Sequence, residues 1–176
     1  QKLDVAGSIN ISPGSAYMYN GQNIARASTT LSNYFFGNSG NLTMTGIQNT
    51  ASGNNTLGIT TTGSNNTVAG FNSMWFNTTG SSNSSLGFEA LRFNDSGSTN
   101  TAIWSRAQRT NTTGVENVSV GAETLYNNTT GYANTAIGTY SLFNNTTARG
   151  GVGVGVFSLY DNTTGIYNTA VGRDAL

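Results

Sequence analysis

The chain has 176 residues and a formal net charge of zero, from seven basic and seven acidic side chains, with neither histidine nor cysteine. This excludes zinc sites of the usual kind, thiolate nucleophiles, disulfides and a Ser-His-Asp relay, and the scattered cations lack the footprint of a nucleic-acid binder. Asn, Thr, Ser and Gly make up 94 residues, but neutrality and 10% aromatic content argue for folded structure around a thin core rather than disorder.

The first 48 residues follow no regular spacing. In KLDVAGSINIS, Leu3, Val5, Ile9 and Ile11 alternate as strand residues do. In YMYNGQNIA, Asn20-Gly21 between β-prone runs predicts a hairpin. Residues 25–48 read as a transition, with Tyr34, Phe35 and Phe36 as a plug. The segment is expected to cap a repeat array or to join it to something upstream.

From Asn49 a seventeen-residue repeat takes over. Seven full units run over 49–167, and nine residues of an eighth follow at 168–176. The consensus is N-T-A-V-G-x-x-A-L-x-x-N-T-T-G-x-x. No insertion interrupts the register. Position 4 is apolar in the later units (Leu86, Ile103, Val120, Ile137, Val154, Val171), and position 9 is Leu except at Met74 and Gln108. Position 5 is Gly except at Trp104, and the NTTG run is turn chemistry.

Short apolar segments divided by Gly turns at a fixed period predict an all-β, parallel β-solenoid with one seventeen-residue coil per unit. At about 4.8 Å per coil, the repeats make a rod section of roughly 36 Å. The predicted core is Leu57, Met74, Leu91, Leu125, Leu142 and Leu159 at position 9, with Val120, Ile137, Val154 and Val171 at position 4. Asn at position 1 is expected to form a hydrogen-bonded ladder along the axis.

If strand alternation puts position 9 inside, position 10 points outward. That column carries Trp75, Tyr126, Phe143 and Tyr160, and Phe76 and Phe93 at position 11 enlarge it. These six residues are the candidate inter-chain interface. Position 7 carries Glu89, Arg106 and Glu123, an acid–base–acid column that reads as a solvated surface feature.

NTAIGTYSLFNNTT and NTAVGRDAL resemble the Gly- and Asn-rich repeats in the heads of trimeric autotransporter adhesins. They are closer still to repeats of bacterial cell-surface and phage tail-fibre-like proteins, where a segment like KLDVAGSINI and the YNGQNI hairpin precedes them. The resemblance implies a left-handed parallel β-roll, three chains side by side, and often a C-terminal self-trimerisation chaperone. The adhesin-head unit is shorter than seventeen residues, and the chain stops in mid-repeat at Leu176.

No catalytic, cofactor or metal residues are expected. The acidic side chains recur at no common position suited to a glycosidase pair. Asp is too rare for a calcium-binding repeat. GVGVGVF at 151–157 lacks the Lys-Ser/Thr of a phosphate loop and reads as a repeat strand. Asn77, Asn111, Asn128, Asn145 and Asn162 match glycosylation acceptors formally, but the repeat accounts for them as turn residues.

The expected function is a non-enzymatic extracellular structural or adhesive fibre at the cell surface, a homotrimer or homopolymer with a host-cell, surface or glycan ligand. Nucleic-acid partners and a membrane span are not expected. One alternative is a self-polymerising filament subunit completed by strand exchange. A lesser one is an ice-binding solenoid using the Thr rows at positions 13 and 14.

Overall fold

The computed structural model describes residues 16–19, 22–28 and 30–176. The expected alternating strand at Leu3–Ile11 and the Asn20-Gly21 turn lie outside them. Strands β1 (Ala16–Tyr19) and β2 (Gln22–Ser28) pair antiparallel, with Tyr19 opposite Gln22. Strand β3 (Asn33–Phe36) pairs antiparallel with β2. Eight three-residue strands then follow at seventeen-residue intervals: β4 (Thr50–Ser52), β5 (Thr67–Ala69), β6 (Ser84–Leu86), β7 (Thr101–Ile103), β8 (Val118–Val120), β9 (Thr135–Ile137), β10 (Val152–Val154) and β11 (Thr169–Val171). From β3 to β11 every neighbour is parallel and in register. The protein is a parallel β-solenoid of about eight turns, with no helix among the described residues.

Stacking begins at Asn33, one coil before the seventeen-residue spacing does. Coil 33–48 is one residue short, so the Asn49 amide meets Asn33 Oδ1 (2.7 Å) at a separation of sixteen. Tyr34, Phe35 and Phe36 do not act together as a plug. Phe35 is buried, and alternation along β3 turns Tyr34 and Phe36 outward.

Each coil has one true strand, at positions 2–4. Position 5 turns the chain through a positive φ, from 119° at Gly138 to 149° at Gly87 among the glycines of the repeat. A Cβ at Gly70 would sit 2.3 Å from the Gly87 carbonyl oxygen of the next coil, which is why the column is glycine. The second apolar segment is not a strand. Position 7 (φ 53° to 59°) and position 9 (φ 47° to 51°) are both left-handed in every full seventeen-residue coil. This conformation costs an ordinary residue about 1–2 kcal/mol. The bends persist because axial hydrogen bonds hold them from both sides: the Met74 amide donates to Ala90 O (3.0 Å), and the Glu89 amide to Phe71 O (2.9 Å). Position 9 therefore points inward and position 10 outward, as expected, but through a left-handed bend rather than strand alternation.

The core is two layers thick. Leu57, Met74, Leu91, Leu125, Leu142 and Leu159 are all buried, as the repeat predicts. Burial of each is worth about 1.5–3 kcal/mol. Opposite them lies position 3, not position 4. Ala51, Val68, Ala102, Ala136 and Ala170 are buried there. Val120, Ile137, Val154 and Val171 are not core residues: Val120 and Val154 are half-buried, Ile137 is 41% exposed and Val171 71%. A three-residue strand that turns position 3 inward must turn positions 2 and 4 outward. Space decides which side goes in. A Cβ at Gly153 would lie 2.5 Å from Ser141 Oγ and 3.4 Å from Leu142 Cγ, so the layer is tight, and within the seventeen-residue repeat Val68 is its one member larger than alanine or serine.

Two buried asparagine ladders close the core. At position 1, the Asn83 amide donates to Asn66 Oδ1 (3.0 Å), and the Asn83 side chain donates to Gly97 O (2.9 Å). At position 12, Asn94 Nδ2 donates to Asn77 Oδ1 (2.7 Å) and to Gly97 O (2.9 Å). The first ladder fits the sequence expectation. The second adds an axial ladder to the turn residues of position 12, whose Asn77, Asn111 and Asn128 amides also donate to the carbonyl three residues on, and it leaves the Asn77, Asn111, Asn128 and Asn145 amides fully buried. Buried polar groups left unpaired cost about 1–3 kcal/mol each, so the ladders fix the register as firmly as the leucines do.

Candidate interaction surfaces

Position 10 follows the left-handed bend and leaves the core, so its side chains stand on the outer surface of successive coils. The six candidate interface residues form two groups there. Trp75, Phe76 and Phe93 make one, with Phe76 and Phe93 stacked at 5.2 Å between centroids. Tyr126, Phe143 and Tyr160 make the other, each ring 5.3 Å from the next. Stacking every coil removes much of each ring from water, so five of the six are half-buried and Phe76 is 37% exposed. Tyr140 and Phe157, at position 7, join the second group: they stack at 5.1 Å and meet Phe143 and Tyr160 edge-on at 5.5 Å. The sequence reading missed them because position 7 was characterised by its charged members.

Between the two aromatic groups lies an ionic network. Arg109 Nε donates to Glu89 Oε2 (2.8 Å), Arg92 pairs with Glu89 Oε1, and Arg106 Nη1 donates to Glu123 Oε1 (3.2 Å). Arg106 Nε lies 3.7 Å from Glu89. The expected solvated column is thus corrected. The Glu89 side chain is only 9% exposed, because Arg92 and Arg109 at position 10 fold over it. Burial alone would raise the Glu89 carboxyl, but the Arg109 hydrogen bond and the charges of Arg109, Arg92 and Arg106 bring it below its ordinary value. Arg109 also lies 4.9 Å from the Phe93 centroid and 5.7 Å from that of Tyr126, joining the aromatic groups through cation–π contacts.

A second apolar strip, absent from the sequence reading, lies on the strand side of the core. Val120, Ile137, Val154 and Val171 run along it at position 4. Leu86 is 55% exposed further along the same column. Trp104, at position 5, projects beside the column with 64% of its surface exposed. A groove of about 390 Å³ opens there, lined by Leu86, Gly87, Phe88, Ile103, Trp104 and Ser105.

The threonine rows are partly committed within the rod. The position 13 hydroxyls of Thr61, Thr112, Thr129 and Thr146 donate to the backbone carbonyl of the next coil at 3.0–3.1 Å. The 151–157 stretch contains β10, in register with its neighbours. Among the described residues, no three acidic side chains gather to hold a metal ion, and no helix is long and apolar enough to cross a membrane.

Comparison with known proteins finds no matching family model, no similar curated protein and no similar solved structure.

Proposed function

We propose that the chain is a non-enzymatic segment of an extracellular fibre: a structural and adhesive rod of a bacterial surface or tail-fibre-like appendage, built from homotrimers. One observation carries the reading. Every coil directs its backbone hydrogen bonds along the axis to its neighbours, and the stack leaves an apolar strip on each side of its core. Closed threefold packing needs two different patches on each chain, one meeting the other around the ring. Coils 117–176 supply both: Val120, Ile137, Val154 and Val171 on the strand side, and the Tyr126, Phe143 and Tyr160 stack with Tyr140 and Phe157 on the other.

The resemblance of NTAIGTYSLFNNTT to trimeric adhesin heads supports the same assembly. A long rod carrying repeated weak sites binds a host cell, surface or glycan through multivalency. Ile137→Lys and Phe143→Lys place a charge in one strip each. Sedimentation velocity is expected to show both variants as monomers with unchanged β circular dichroism. Sedimentation of either variant identical to that of the native chain would contradict the assignment. A native mass that grows with concentration would favour the self-polymerising filament instead.

A further inference from the structure

Coil 100–116 departs from its neighbours in one concentrated stretch. Trp104 stands where the other coils of the repeat have glycine, Gln108 replaces a core leucine, and Arg106 and Arg109 take two outward positions. Trp104 adopts φ 104°, close to the 119° to 149° of the glycine column. A non-glycine residue in that region is strained. Yet the indole rests largely in solvent, so packing does not compensate. Strain of this kind at an exposed aromatic residue beside a groove points to a ligand.

The groove has an apolar lining, and one cation, Arg106, stands beside it over Phe88. Phe88 stacks on Phe71 at 5.8 Å and is held from beside. Arg106 lies 5.7 Å from the Phe88 centroid, and its side chain is 44% exposed. Three guanidinium groups share two carboxylates in the network behind it, leaving one positive charge in excess. The Ser105 side chain adds a hydroxyl to the lining. A flat aromatic face accepts polarised C–H groups, and an arginine fork matches a carboxylate.

We propose that the groove between Phe88 and Trp104 binds a saccharide ring bearing a carboxylate, with its C–H face on the Trp104 indole and its carboxylate at Arg106. A second copy of this chain is the less fitting occupant. An interface between parallel rods would recur along the whole stack, whereas the groove is confined to coils 83–99 and 100–116. The exposed Trp104 indole also interrupts the strip in one coil only. The inference deepens the adhesive reading by naming a ligand class, and the binding measurement does not depend on trimer formation.

The test titrates the full chain with tetragalacturonate, following tryptophan emission and calorimetric heat, with the methyl-esterified oligosaccharide as control. Saturable binding is expected, with a change in emission that persists in Trp75→Phe. Esterification should weaken binding at least tenfold. Trp104→Gly should lose the binding while its thermal midpoint stays level or rises, because glycine is the residue the backbone favours there. Arg106→Gln should retain the fold and lose the preference for the free acid. Failure of tetragalacturonate to bind, equal binding by Trp104→Gly, or equal affinity for the methyl ester would each overturn the proposal. Mass measurements on the same samples report separately on the fibre reading.

Discussion

Coils 134–150 and 100–116 trace the same backbone path with different side chains. In the first, glycine occupies the turn at Gly138, Leu142 fills the core, and Tyr140 and Phe143 stack on their neighbours. In the second, the turn holds a strained tryptophan, the core holds Gln108, and arginines cover the outside. Gln108 donates to Thr101 O (3.0 Å) and Ser119 Oγ (2.9 Å), but its Oε1 has no partner. The leucine column is interrupted there: one apolar cluster ends at Ala102 and Ala107 of this coil, and the other begins at Leu125. The path survives because the position 1 asparagine accepts from the next coil's backbone in both, Asn100 from the Asn117 amide and Asn134 from the Gly151 amide. In this rod the backbone ladder sets the shape, so one coil can give up packing for surface chemistry.

The contrast can be broken at its strongest point first. Leu142→Ala in the regular coil should cost about 2–5 kcal/mol, as large-to-small core changes do. Gln108→Leu should instead stabilise the chain by about 1–2 kcal/mol, by removing an unpaired buried oxygen. Thermal or urea unfolding of the two variants measures both, and a destabilised Gln108→Leu would show that the amide is structural.

Glu89→Gln comes next. At neutral pH it should cost about 2 kcal/mol, less than a fully buried pair because the arginines remain partly in solvent. The folded Glu89 carboxyl lies below its ordinary value, so its contribution is complete above the ordinary carboxylate range. It is lost as pH falls through the depressed folded value. The stability gap between the native chain and Glu89→Gln should therefore close on acidification, and a gap independent of pH would place the effect in packing.

The solenoid and its leucine column were legible in the sequence because identical coils must repeat identical environments. The coil at 33–48 was hidden by a single missing residue, which shifts the register while leaving Asn33, Phe35 and Gly37 in place. The position 4 residues were misread because hydrophobicity alone cannot say which side of a three-residue strand faces a narrow core. Alanine, serine and glycine at position 3 carried that information as small volume rather than as apolar character. The position 12 ladder looked like turn chemistry because asparagine serves both roles. Glu89 read as solvated because the arginines that enclose it stand three and twenty residues further along the chain.

Light scattering on the native chain tests the central claim, lateral assembly through the two strips, most directly. The account predicts a discrete particle of about 55 kDa, three chains of 18.3 kDa each. A stable particle of 18.3 kDa across the accessible concentration range would contradict it.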